Sequence, residues 1–157
     1  MMLPVSRILC PTDFSQPARH ALDVASELAR HFRAELLVLT VVDPLPAMHA
    51  PVEGAAFDLA AFEKDREAAA RRRLSELVET GLGPGIEAHP LVRRGCVYGE
   101  IVAAAEEHEA DLIVIATHGW TGWRRLLFGS VAEKVVRTAH RPVLIVHQPA
   151  DEQAGTA

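Results

Sequence analysis

Three glycines, Gly119, Gly122 and Gly129, fall within the thirteen residues from Thr117 to Gly129, and Ser130 follows the last of them directly. Glycine lets the main chain approach a ligand closely. A helix that begins at Gly129-Ser130 offers unbonded amides and the positive end of its dipole to an anion. The chemistry that suits this spacing is a phosphate cradle. Ser130 and Glu133 also carry the S-x-x-E spacing of a capping box, in which both side chains bond amides of the first turn. Cap and cradle are both open readings of this dipeptide, and they are compatible. His118, Arg124 and Arg125 lie in the same stretch, placed either to serve phosphate chemistry or as an ordinary loop histidine and two solvated cations. Trp120 and Trp123 either pack the loop down or mark a partner surface.

A second group lies near the start of the chain, in Pro11-Thr12-Asp13-Phe14-Ser15-Gln16-Pro17. Asp13 and Ser15 are helix-capping types, and Pro17 suits a first helical turn. A carboxylate at the end of a strand can also accept hydrogen bonds from a ribose or a base edge. The chain contains no G-x-x-x-x-G-K-[ST], no G-x-G-x-x-G after its first strand and no G-x-S-x-G. A nucleotide held here is held by another loop design.

The elements that position these groups follow from hydrophobic periodicity. Arg7 to Pro11 reads as a strand, and Ala18, Ala21, Leu22, Ala25, Leu28, Ala29 and Phe32 then recur at helical spacing. Glu35 to Val42 has the continuous apolar character of a strand covered on both faces. A loop from Asp43 to about Ala56 leads into a helix that runs to about Thr80, with Arg71, Arg72 and Arg73 read as a solvated face, the alternative being an anion site. Gly81 to Gly85 ends that helix, Ile86 to Val92 is a weaker strand, and Val97 to His108 is a helix. The last unit is a strand from Asp111 to Ala116, the glycine-bearing connection, a helix from Ser130 to Ala139 and a strand from Pro142 to Val146. Five strands alternating with four helices make an α/β protein with a parallel sheet and helices on both faces. Ligands in such sheets sit beyond the carboxyl ends of the strands, which directs attention to the connections after the first and fourth strands.

Composition narrows the function. The 157 residues fit one domain, and 16 Lys and Arg against 21 Asp and Glu leave a net charge of -5, which disfavours nucleic-acid binding. Cys10 and Cys96 lie in separate segments without disulfide or zinc spacing. No apolar run has the length of a membrane span, and the first seven residues lack the apolar stretch of a leader. A cytoplasmic protein with reduced thiols and no membrane partner is expected.

From Arg-Ile-Leu-Cys-Pro-Thr-Asp-Phe-Ser to Arg-Pro-Val-Leu-Ile-Val, over residues 4–147, the chain resembles the universal stress protein family. Its ATP-binding branch carries G-x2-G-x9-G-[ST] after the fourth strand, and the matching positions here are Ala116, Gly119, Gly129 and Ser130. Ala116 stands where the pattern has its first glycine. One domain over residues 1–147 is expected, with 148–157, polar and small from Gln148 onward, as a flexible tail. The resemblance implies a Rossmann-like five-stranded parallel sheet in the order 3-2-1-4-5. It implies ATP and Mg2+ as ligands, with Pro11, Thr12 and Asp13 on the adenosine side and the backbone of Val41 at the adenine edge. Ala116, Gly119, Gly129, Ser130 and Val131 would line the ribose and phosphates. A homodimer through the Pro142 to Val146 edge strand is implied as well. The expected function is a nucleotide-dependent regulator of the stress response acting on an unidentified protein partner. The alternatives are a slow ATP hydrolase or phosphoryl-transfer enzyme, drawing on His118, Arg124, Arg125 and Ser130, and a nucleotide-free interaction module.

Overall fold

A computed structural model describes residues 4–44, 58–117 and 129–147. The elements are β1 (Arg7–Pro11), α1 (Gln16–Phe32), β2 (Glu35–Val42), α2 (Leu59–Gly81), β3 (Ala88–Arg94), α3 (Val97–Glu107), β4 (Leu112–Ala116), α4 (Ser130–Thr138) and β5 (Val143–Val146). All pairings are parallel, and the strand order is β3-β2-β1-β4-β5.

Alternation along the strands divides the core into two layers, because successive side chains point to opposite faces. Ile8 and Cys10 of β1, with Leu36 and Val38 of β2, pack under Leu22 and Ala25 of α1 and Leu74 of α2. Leu9, Leu37, Leu39, Ile113 and Ile115 face the other way, under Ile101 of α3 and Val135 of α4. Helices α1 and α2 thus cover one face and α3 and α4 the other. Since α1 follows β1 and α4 follows β4, the connections from these neighbouring strands leave to opposite sides of the sheet.

The two strands also part. Their ladder consists of Ile8 with Leu112 and Leu9 with Ile113. Beyond it, Cys10 and Pro11 stay in register with Val38 and Leu39 of β2, while Val114 to Ala116 pair with Leu144 to Val146 of β5. Pro11 has no amide with which to extend a ladder, and Thr12 N bonds back to Leu39 O at 2.7 Å. A gap is left between β1 and β4 at their carboxyl ends.

The boundaries of five elements expected from the sequence need correction. The third helix ends at Glu107, with His108 as its C-cap, and the last strand begins at Val143 rather than Pro142. The third strand begins two residues later than Ile86 and runs on to Arg94, in register with Val41 and Val42. Edge position explains the charged end: Arg93 bonds Glu100 and Glu107, each at 2.8 Å, and Arg94 pairs with Glu63. The fourth strand starts at Leu112; just before it, Asp111 donates its amide to Arg7 O at 2.8 Å, and its carboxylate accepts from the amides of Ser6 and Arg7 at 2.7 and 2.9 Å. The last helix ends at Thr138, with Ala139 as its C-cap. Among the described residues no helix is long and apolar enough to cross a membrane. The expected tail, 148–157, lies outside the described residues.

Candidate functional site

The gap between β1 and β4 is a cavity of about 320 Å³ at the carboxyl end of the sheet. Pro11, Thr12 and Asp13 border it from the end of β1, and Val41 borders it from the end of β2. Ala116 contributes from the end of β4, and Gly129, Ser130 and Val131 from the start of α4. Eight of the nine residues singled out in the sequence therefore meet at one cavity. The ninth, Gly119, lies outside the described residues, as do His118, Trp120, Trp123, Arg124 and Arg125.

The β1–α1 turn is held by its own side chains. Thr12, which is buried, accepts from Phe14 N through Oγ1 at 3.0 Å. Asp13 Oδ1 accepts from Ser15 N at 3.0 Å, and Ser15 Oγ caps α1 by accepting from Ala18 N at 3.3 Å. The carboxylate of Asp13 thus braces the turn rather than capping the helix, which is the work of Ser15.

At the opposite side of the cavity the capping-box expectation fails. Gly129 is the N-cap of α4, with extended backbone dihedrals, and no side chain caps this helix. Ser130 becomes the first helical residue, from which its hydroxyl cannot serve as the N-cap acceptor. Glu133 turns to Arg137 on its own helix, at 2.9 Å. The amides of Ser130, Val131 and Ala132 occupy the first turn, where no intrahelical carbonyl can reach them, and all three residues line the cavity. The amide of Gly129 is not in this set, because it bonds Thr117 O at 2.6 Å.

Apart from Thr117, the remaining walls are apolar. Val97 and Ile101, one turn apart on α3, face Leu39 and Ile115 of the sheet across the cavity. Sequence reasoning passed over these four. The i, i+4 spacing of Val97 and Ile101 marked an apolar helix face, and Leu39 shares a strand face with Val41, but neither signal says that the buried face ends at a cavity. The site thus sets an apolar slot beside a carboxylate at one end and main-chain donors with a helix dipole at the other. That combination suits a flat aromatic group carrying a sugar and an anionic tail. Behind it, burial pushes the Cys10 thiol up to about 12, so the side chain next to Pro11 is a neutral packing group.

A second cavity of about 260 Å³ adjoins the first, sharing Val97, Ser130 and Val131. It continues past Cys96 and Tyr98 to Lys134, whose ammonium sits 5.0 Å from the centroid of the Tyr98 ring.

Comparison with known proteins agrees with this architecture. A profile of the universal stress protein family matches residues 4–147. Universal stress protein MJ0531 of Methanocaldococcus jannaschii is 37% identical over 146 residues, covering 93% of this chain and 84% of the relative. The solved structure of MJ0577, from the same organism, has a TM-score of 0.73 at 28% identity and covers 94% of this chain and 99% of that one. A universal stress protein from Archaeoglobus fulgidus, solved in complex with dAMP, has a TM-score of 0.57 at 25% identity, covering 91% and 98%.

Proposed function

The chain belongs to the universal stress protein family, and on that premise we propose that it is a cytoplasmic ATP-binding protein that acts as a nucleotide-dependent regulator in the stress response. The observation that carries this reading is the meeting, in one cavity, of Asp13 at the end of β1 with the first-turn amides of α4. Adenine would lie between Val41 and the apolar wall of α3, the ribose would reach Asp13, and the phosphates would take the amides of Ser130 and Val131. The dAMP complex of the Archaeoglobus fulgidus relative supports an adenine nucleotide as the ligand. Ala116 lines the cavity with a single methyl group where the family pattern has glycine, a change small enough to leave the ribose room.

Mg2+ fits as a companion of the phosphates. Among the described residues no group of three or more His, Cys, Asp or Glu could hold a metal by itself, and Mg2+ is commonly held by phosphate oxygens and water with few protein ligands. The free thiols of Cys10 and Cys96 fit a reducing compartment.

The proposed assembly is a homodimer through β5. Both sheet edges are formed by single strands, but they differ. Pro90, Arg93 and Arg94 blunt β3, whereas Val143 to Val146 carry no charge and Leu144 is exposed.

Calorimetric titration of nucleotide-free protein with ATP and Mg2+ tests the central reading. Saturable binding at one site per chain is expected, and no heat at millimolar ATP would end it.

A further inference from the structure

The turn that presents Asp13 passes through a residue held against its own preference. Phe14 has φ 65°, in the left-handed region where the Cβ of a bulky residue crowds the neighbouring main chain. Such a conformation persists only where its surroundings over-determine it, and three contacts do so here. Phe14 N donates to Thr12 Oγ1 at 3.0 Å. The ring packs against the core layer beneath α1 and α2. The guanidinium of Arg73, from α2, lies over the ring with its central carbon 4.2 Å from the centroid.

Thr12 and Asp13, immediately before Phe14, line the cavity, whereas Phe14 and Arg73 do not. Ser15, immediately after, is bonded to Asp13 and caps α1. The backbone angle of Phe14 therefore sets how the Thr12–Asp13 segment meets the cavity while α1 stays in place. The other arginines of α2 with a described partner turn elsewhere: Arg71 pairs with Glu67 at 3.1 Å, and Arg66 donates to Asp43 O at 3.2 Å.

We propose that Arg73 is a positioning residue for the nucleoside end of the cavity, acting through its stack on Phe14 to hold the β1–α1 turn in the form that aims Thr12 and Asp13 at the ligand. The inference rests on the adenine-nucleotide reading above. Without the guanidinium, the turn relaxes in part of the population toward negative φ at Phe14. The apparent affinity falls by the fraction of molecules lost from the competent form. An exposed cation–π contact is modest, so the expected loss is up to about fivefold. It falls on the nucleoside end, because the phosphate donors belong to α4.

The test uses the full chain and displacement of a fluorescent ATP analogue by ATP, adenosine and inorganic tripolyphosphate, with thermal melting of every variant. Arg73→Met should weaken ATP and adenosine by up to about fivefold and leave tripolyphosphate unchanged. Arg73→Lys, which keeps a cation, should recover most of the loss. In a Phe14→Leu background Arg73→Met should have no further effect. The proposal is overturned if the wild type binds ATP and Arg73→Met binds it equally well, if tripolyphosphate weakens in parallel, or if the loss persists without the Phe14 ring. Failure of the wild type to bind any adenine nucleotide overturns the underlying reading instead, and the proposal with it.

Discussion

The amide of Gly129 donates to the carbonyl of Thr117 at 2.6 Å, so the long connection between β4 and α4 leaves and returns at one point on the cavity rim. This bond fixes Gly129 as the residue through which α4 enters the site. Its φ of -66° and ψ of 149° are open to any residue, so no backbone strain calls for glycine at this position. Gly129→Val should still fold, with a stability loss of about 1 kcal/mol because valine is a poor N-cap. It should lose about tenfold or more in ATP affinity, about 1.4 kcal/mol, because the new side chain occupies the cavity wall. Calorimetry with parallel melting curves checks this, and an unchanged affinity would move the phosphates away from Gly129.

Asp13 has two separable roles. Its Oδ1 accepts from Ser15 N, and its charge faces the proposed ribose. Asp13→Asn retains an acceptor for the turn and removes the charge. It should therefore melt like the wild type while binding ATP about ten- to a hundredfold more weakly, the range for a charge-assisted hydrogen bond. Asp13→Ala should add a stability loss of about 1 kcal/mol for the broken turn bond. Equal affinity of the Asn variant and the wild type would remove the carboxylate from ligand recognition.

Gly95 is a position where glycine is required. Its φ is 151°, and an added Cβ would stand 2.5 Å from Glu100 Oε1 and 2.9 Å from Glu100 Cγ. Glu100 cannot swing aside freely, since Oε2 is bonded to Arg93. Gly95→Ala should destabilise the fold by about 1–3 kcal/mol, the usual cost of a strained backbone position. Gly95 leads into Cys96 and Val97, so the apolar wall of the cavity should shift with it. Urea denaturation measures the first effect and ATP titration the second.

Much of this was legible before the structure. Arg7–Pro11, Glu35–Val42 and Leu112–Ala116 stood out because strands buried on both faces carry unbroken apolar runs, and α1 because its small apolar residues recur at helical spacing. Asp13 and Gly129-Ser130 were reachable because the alternation of strands and helices and the glycine spacing direct the search to the carboxyl end of the sheet, whereas Val41 followed only from the family resemblance. The S-x-x-E pattern misled because residue types do not reveal that Gly129, one position earlier, takes the N-cap. Arg93 and Arg94 were missed as strand residues because an edge strand meets solvent and acidic partners, so hydropathy does not mark it. The parting of β1 from β4 and the stack of Arg73 on Phe14 depend on contacts between segments far apart in the chain, which no local pattern records.

The two thiols should behave differently. Cys96 is exposed and Cys10 buried, so a thiol-specific reagent at pH 8 should modify Cys96 in the native protein and Cys10 only after unfolding. Burial raises the Cys10 thiol from an ordinary 9.0 to about 12. Below pH 9 the thiol is protonated in both states. Between pH 9 and 12 the unfolded chain releases this proton and the folded chain keeps it, so stability falls as pH rises. The contribution of this one group is about 1.4 kcal/mol per pH unit. Cys10→Ala, which loses on the order of 1 kcal/mol to a small cavity, should show a shallower decline across that window.

The proposed dimer makes its own prediction. Leu144 and Val136 are 38% and 46% exposed, large for apolar side chains on β5 and the adjoining α4, and the β5 edge lacks the proline and arginines that guard β3. If β5 pairs with its counterpart in a second chain, these side chains are covered across the two-fold axis. Leu144→Lys with Val136→Lys should then convert the dimer to a monomer in light scattering after size exclusion. Because both positions face outward in the single chain, the far-ultraviolet circular dichroism should be retained. A wild type that runs as a monomer at tens of micromolar, or a double variant that remains dimeric, would place the interface elsewhere. The same monomer, titrated with ATP, should still bind, since Asp13, Val41, Ala116 and the first turn of α4 meet within a single chain.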